Sequence, residues 1–200
     1  MVESHAKYES IWIKIIHRRC QHKIMGIKSI RENKTIYQRY REEKDLTREE
    51  ACDGMPGVSP SHLEKVEYEQ MAPTPYDVVM MAECYGRPDL CNYFCTHECA
   101  IGKKYIPELK LSELGNVTLQ TITNINEIEP DINRLIQIAA DGKITDEEIR
   151  DFARISKTLD AISLSVSELN LWIDKTACEN QFNKELFESE KEKLKNKDGL

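Results

Sequence analysis

The sequence predicts an all-α protein, and three observations lead to this fold class. Apolar residues recur at helical spacing from about residue 35 to about residue 173. Two capping boxes, Thr47 to Glu50 and Thr145 to Glu148, mark helix starts within that range. The chain also contains only 8 Gly and 7 Pro in 200 residues, and it has no low-complexity tract. We therefore expect a group of short helices followed by a C-terminal antiparallel helical bundle or hairpin.

Composition and charge distribution limit the classes of protein to consider. The chain is 40% hydrophobic and 32% charged, and it is long enough to bury a core. Its apolar run at residues 11–16 contains Lys14 and is too short for a signal or membrane segment, so we expect a cytoplasmic protein with no membrane partner. The net charge is −7, but residues 1–48 hold 12 Lys/Arg against 6 Asp/Glu, whereas the remainder holds 16 against 29. This asymmetry predicts a basic anchoring end, unless it is only an uneven solvated surface.

We expect four segments along the chain. Residues 1–27 form an N-terminal extension, residues 28–106 a domain of short helices with a cysteine-rich end, residues 107–177 a helical bundle for dimerisation or sensing, and residues 178–200 a charged tail or frayed helix. Met25 is followed by a segment that reads as a protein N-terminus leading into a helix. We therefore expect Met25 to be the native start and the residues before it to derive from an upstream start.

Helix boundaries in the first domain follow from caps and breakers. The expected helices are, in order, residues 35–44, a short helix from Thr47 that stops by Gly54, a third that Ser59 caps, a buried fourth over residues 76–85, and a fifth that Pro88 opens. In the bundle, one helix starts near Ser112, a shorter one starts at Pro130, and a long one runs from Thr145 to about Ile173.

Several short motifs in the first domain form a recognisable series. They are Leu46-Thr47, Gly57-Val58-Ser59, Val66-Glu67, the prolines Pro73 and Pro75, and Ala82. Together they resemble the core of Cro/lambda-repressor-like (XRE-type) helix-turn-helix regulators, over about a third of the chain. The resemblance implies that residues 28–106 are a lambda-repressor-like helix-turn-helix domain. It also implies a sequence-specific, repressor-like transcriptional regulator that binds double-stranded DNA as a homodimer and is not an enzyme.

The resemblance assigns roles to particular residues. It implies that Thr47 and Arg48 lie at the phosphate backbone, and that Arg41 and Glu67 form a structural ion pair inside the domain. The DNA-binding residues implied by the resemblance are Thr47, Arg48, Ser59, Pro60, Ser61, His62 and Lys65. Further phosphate attraction is expected from Lys28, Arg31, Lys34 and Arg39.

Two departures from the family pattern leave alternatives open. The turn at residues 54–57 is about one residue longer than in the family, and the recognition helix has no Arg, Asn or Gln, the usual base-reading residue types. A protein-interaction adaptor on the same scaffold is therefore the first alternative. The chain has no phosphate-binding glycine loop, nucleophile elbow or His-Glu-x-x-His sequence, so nothing indicates catalysis.

Four of the seven cysteines occur within one short stretch. They are Cys84, Cys91, Cys95 and Cys99. If they converge, four thiolates would suit zinc or an iron–sulfur cluster, although the Cys-x2-Cys pairs typical of zinc sites are absent. Small core residues and a thiol–disulfide switch are the other interpretations. A cysteine-based metal or redox sensor is accordingly the second alternative function.

Overall fold

A computed structural model describes residues 33–140 and 142–198, and the side chains up to residue 195. In these residues there are nine helices and no strand, so the all-α class is confirmed for the described part of the chain. The expected N-terminal extension, the start at Met25, and Lys28 and Arg31 lie outside the described residues. The helices are α1 (Ile36–Glu43), α2 (Arg48–Asp53), α3 (Pro60–Glu67), α4 (Pro75–Tyr85), α5 (Asp89–His97), α6 (Gly102–Tyr105), α7 (Leu114–Ala139), α8 (Ile149–Cys178) and α9 (Lys184–Asp198).

Helices α1 to α5 share one hydrophobic core. Its buried members come from all five helices and from the turn between α2 and α3; they are Tyr37, Ala51, Met55, Val58, Leu63, Val66, Val78, Met81, Ala82, Tyr85 and Leu90. Burying one large side chain of this kind contributes roughly 1.5–3 kcal/mol. Such short helices are marginal in isolation, so this shared core is what stabilises them.

The starts of the short helices agree with the caps predicted from sequence. Thr47 and Glu50 form a complete capping box at α2, and the hydroxyl of Ser59 accepts a hydrogen bond from the backbone N–H of His62 at α3. Thr74 and Asp77 form a further capping box at α4, which the sequence analysis did not identify. Gly86 ends α4 in the left-handed conformation, with φ 62°, where glycine is favoured.

Helix α4 is only partly the buried helix that was expected. Val78, Met81 and Tyr85 lie in the core, whereas Tyr76 and Val79 are 54% and 42% exposed. The helix covers one side of the core, so only one of its faces is buried, despite the apolar residues around its circumference.

Helices α7 and α8 pack antiparallel along each other. Asn124 Nδ2 donates to the carbonyl of Ala161 (3.1 Å), Arg154 pairs with Asp131, and Arg134 Nε lies 2.7 Å from Asp151 Oδ2. The helix start that was expected at Pro130 is wrong. Pro130 lies inside the 26-residue helix α7 instead of opening a new helix, because contacts to α8 hold the chain helical on both sides of it.

The long helix α8 also differs from its expected limits. It begins at Ile149, although the carboxylate of Glu148 does accept from the backbone N–H of Thr145 (3.1 Å), as a capping box would require. It extends to Cys178, beyond the expected end near residue 173, and α9 occupies residues 184–198 of the expected tail. In the described residues, no helix combines the length and apolarity needed to cross a membrane.

An extended segment after α6 connects the two groups of helices. The side chain of Asn92 on α5 donates to the carbonyl of Pro107 (3.0 Å) and accepts from the N–H of Leu109 (2.9 Å). Next along the segment, the N–H of Lys110 donates to Glu168 on α8 (3.1 Å). These bonds attach the segment to α5 on one side and to α8 on the other.

Candidate nucleic-acid interface

Helix α3 is held by one face and exposes the other. Leu63, Val66 and Glu67 are buried, whereas Ser61 and Lys65 are exposed to solvent. Helices α2 and α3 pack against each other and are joined by residues 54–59. Gly57 within this turn has φ 84°, so the turn requires a residue that tolerates the left-handed region.

A buried carboxylate connects three helices beneath this surface. Glu67, which is fully buried, accepts from Arg41 Nε (2.6 Å) and Nη2 (2.9 Å), so the ion pair implied by the family resemblance is present. Arg41 Nη1 also donates to the carbonyl of Leu46. Burial alone would lower the pKa of Arg41, but the hydrogen-bonded Glu67 carboxylate more than offsets this and raises it. The charged pair therefore fixes α1 against α3.

Arg48, the expected phosphate contact, is engaged within the protein. Its Nε donates to Glu67 (2.8 Å), its Nη1 lies 3.2 Å from the exposed carboxylate of Glu64, and its guanidinium stacks over the ring of Tyr68 at 4.9 Å. Burial would lower the pKa of Arg48, and its hydrogen bonds with Tyr68 and Glu67 raise it above its usual value. A phosphate bound at Nη1 would have to share this nitrogen, which carries two N–H groups, with Glu64 or displace that carboxylate.

His62 contacts α4 through its ring. Its Nε2 lies 3.0 Å from Asp77 Oδ2, the same oxygen that accepts from the N–H (2.8 Å) and hydroxyl (2.9 Å) of Thr74. Burial would raise the pKa of Asp77, but the Thr74 N–H and His62 lower it below its ordinary value. The structure thus places His62 at the joint between α3 and α4, a role that the sequence analysis did not foresee.

Of the other residues that were expected to contact DNA, some are hydrogen-bonded within the protein and others are exposed to solvent. Both the hydroxyl and the N–H of Thr47 are used by Glu50, and Lys34 Nζ binds Glu42 at 2.7 Å. Ser59 and Arg39 are exposed, and Pro60 is half-buried at the first position of α3. The side chains offered on the outer surface of α3 are therefore chiefly Ser61 and Lys65, with Glu64 between them along the chain.

Exposed carboxylates surround these two side chains. On α2, on α3 and directly after α3 they are Glu49, Glu50, Asp53, Glu64 and Glu69. These negative charges weaken the attraction of this surface for phosphates. The acidic residues at positions 49, 50 and 53 are the sequence signal of this negative charge.

The structure does not bring Cys84, Cys91, Cys95 and Cys99 together in one group. In the part of the chain that the structure describes, no three His, Cys, Asp or Glu side chains are grouped so that they could hold a metal ion. Cys84 Sγ points to the carbonyl of Ala51 at 3.6 Å, and Cys99 Sγ accepts from the N–H of Gly102 at 3.5 Å. The end of α5 at residue 97 separates Cys99 from the helix that carries Cys91 and Cys95. Among the described residues, these four thiols therefore show no common arrangement for zinc or an iron–sulfur cluster.

Two cysteines from different helices lie near each other in the core region instead. Burial raises the pKa of both Cys52 on α2 and Cys84 on α4 to about 11, and the proximity of Cys52 contributes to the shift at Cys84. The geometry of the candidate interface rests on α2, α3 and their supporting ion pairs.

No protein-family model, no curated protein and no solved structure matches this chain.

Proposed function

We propose that α2 and α3 form a helix-turn-helix motif of the Cro/lambda-repressor-like type and that this protein is a sequence-specific DNA-binding transcriptional regulator. The observation that carries the proposal is the mounting of α3, whose inner face is buried while its outer face is exposed. A recognition helix needs this arrangement, because it must enter the major groove without separating from its domain. The capped starts of α2 and α3 and the Arg41–Glu67 pair supply the rigid support.

The exposed residues of α3 have plausible partners on DNA. The eight-residue helix is about 12 Å long, similar to the width of the major groove. Lys65 is suited to a guanine edge or a phosphate, and the hydroxyl of Ser61 is suited to any base with a donor or acceptor in the groove. Asp77 engages Nε2 of His62, so a base contact by His62 would use the remaining exposed part of its ring. With so few exposed polar side chains on α3, one module discriminates weakly, which makes a dimer on two half-sites the expected form.

Arg48 gives the proposed interface a charge-dependent contact. In the protein alone its Nη1 lies beside Glu64, and a phosphate placed there would compete for the same guanidinium. Because the Arg48–Glu64 pair is partly exposed, it contributes little to stability, and a phosphate can replace Glu64 at small cost.

The experiment is binding of the full chain to genomic DNA fragments, including the region upstream of its own gene, over a salt series. We expect tight binding to a subset of fragments, with log affinity falling linearly with log salt concentration. Lys65→Ala should reduce affinity and lower the salt slope by about 1, whereas Lys157→Ala, an exposed lysine on α8, should not. No binding at low salt would contradict the proposal.

A second candidate function is protein interaction through the same surface. It is favoured by one observation, the exposed carboxylates on α2 and α3, which suit a basic partner better than a phosphate backbone. Under this alternative, Glu64 would be a binding residue, whereas under the proposal it opposes binding. Substitution of Glu64 therefore separates the two functions.

A further inference from the structure

Helices α7 and α8 leave a row of large apolar side chains exposed on one side. We call this row the hairpin face. Its members, with their exposed fractions, are Ile125 (48%), Ile132 (46%) and Ile136 (62%) on α7 and Phe152 (38%), Leu159 (46%) and Val166 (41%) on α8. Side chains of this size and type are normally buried when they form a continuous row.

The spacing of these residues places them in one stripe on each helix. Positions 125, 132 and 136 are separated by seven and four residues, and positions 152, 159 and 166 by seven each. Steps of seven residues are two helical turns and shift direction by only about 20°. Each set therefore keeps a nearly constant direction along its helix.

The contacts between the helices show that both stripes lie on the same side of the pair. Ile125 directly follows Asn124, and Phe152 directly follows Asp151, and Asn124 and Asp151 each make an interhelical hydrogen bond. One residue corresponds to about 100° of rotation away from the contact line. When two antiparallel helices are viewed from one end, one turns clockwise along its sequence and the other turns anticlockwise. A step of 100° away from the line of contact in each helix therefore brings both stripes to the same side of the pair. The same register sets Ile132 level with Phe152.

The hairpin face has the size and the chemistry of an interface. Its six side chains expose on the order of 500 Å² of apolar surface, if about 200 Å² is taken for each when fully exposed. That approaches the ~800 Å² per partner of a standard interface once the small residues between them are included. The small residues on α8 are the exposed serines Ser156 and Ser163, which follow Phe152 and Leu159 by four residues each. The charged residue of the face on α7 is Glu129, which is exposed.

We propose that a second copy of this chain covers the hairpin face, so that two hairpins form a four-helix bundle around a two-fold axis. Alternating large and small residues let a surface pack against its own copy, as an isologous contact requires. The chain carries a net charge of −7, so two copies repel each other over much of their surface and can approach closely through an almost uncharged face. This inference does not rest on DNA binding.

The test is sedimentation equilibrium of the full chain over a concentration series, without DNA. We expect a species of twice the 23.2 kDa chain mass. Leu159→Asp should shift the protein to the monomer, and so should Ser156→Arg, which adds a bulky charge at an exposed serine and removes no core contact. Leu119→Asp is the matched control, because Leu119 is 67% exposed on α7 about a third of a turn away from the stripe.

Three results would overturn the proposal. One is a monomer at every concentration, whether the face then stays open or is covered by another segment or another protein. The second is a dimer that Leu119→Asp dissociates as strongly as Leu159→Asp. The third is a dimer that survives Ser156→Arg with its helical circular dichroism intact. Loss of DNA binding alone would leave the inference standing, so the two proposals fail separately.

Discussion

The guanidinium of Arg41 and the carboxylate of Glu67 form two parallel hydrogen bonds, Nε to Oε1 at 2.6 Å and Nη2 to Oε2 at 2.9 Å, beneath the surface of α3. Glu67 has no exposed area, and Arg48 donates a third hydrogen bond to it at 2.8 Å. One buried negative charge is thus shared by two arginines from α1 and α2. The orientation of α3 depends on this network as well as on the apolar core.

Removal of Arg41 should destabilise the protein strongly. Arg41→Met leaves the buried Glu67 with Arg48 as its remaining arginine partner, and loss of one member of a buried pair costs about 3 kcal/mol. Urea unfolding followed by circular dichroism measures the change. Arg39→Met, an exposed position on the same helix, is the control and should change the free energy of unfolding little. Equal effects of the two variants would show that the buried pair does not contribute as described.

Stability should fall at acid pH in part through Asp77. Because the pKa of Asp77 is lower in the folded protein than its usual 3.8, its contribution is complete above that value and is lost as pH falls through the folded pKa. Asp77→Asn should therefore lose less stability than the parent protein between about pH 4 and the folded pKa. Urea unfolding at several pH values tests this, with Glu83→Gln, exposed on the same helix, as control. Parallel pH profiles for Asp77→Asn and the parent would contradict the expectation.

The thiols of Cys52 and Cys84 should react slowly in the folded protein. Burial raises their pKa values to about 11, so little thiolate is present at pH 8. We expect slow iodoacetamide labelling at pH 8, with the rate rising steeply as pH approaches 11 while the protein stays folded. Peptide mass spectrometry measures each site, and the chain unfolded in urea provides the reference rate. Labelling at the unfolded rate at pH 8 would show that these thiols are accessible and ionised.

Replacement of Pro130 should stabilise α7. Proline lacks the N–H that this position would donate within the helix, and its ring crowds the carbonyl four residues earlier. We expect Pro130→Ala to raise the free energy of unfolding by about 1–3 kcal/mol. Pro75→Ala provides the comparison, because Pro75 occupies the first turn of α4, where its missing N–H is not needed. A destabilised Pro130→Ala would mean that the helix requires a bend at this residue.

Features determined by neighbouring residues could be predicted from the sequence. The caps at Thr47 and Ser59 and the end of α4 at Gly86 depend on side chains within a few residues of the backbone groups they satisfy. The Arg41–Glu67 pair spans 26 positions and was foreseen only through the family resemblance.

Features that depend on packing between distant elements were missed. His62 binds a residue 15 positions away, and only the placement of α4 brings Asp77 to it. The four cysteines have spacing compatible with convergence, but Cys84 faces α2 and Cys99 lies beyond the end of α5. At Pro130 the contacts of α7 with α8 outweigh the local preference to break the helix.

The most direct test of the central claim compares Glu64→Gln and Lys65→Ala on one DNA fragment that the parent protein binds. If α3 enters the groove, Glu64→Gln should strengthen binding, because it removes a negative charge and leaves Arg48 Nη1 only a neutral acceptor, and Lys65→Ala should weaken it. Fluorescence anisotropy at constant salt measures both affinities. Weaker binding by Glu64→Gln, or no change in either variant, would contradict the assignment of α3 as the DNA-binding helix.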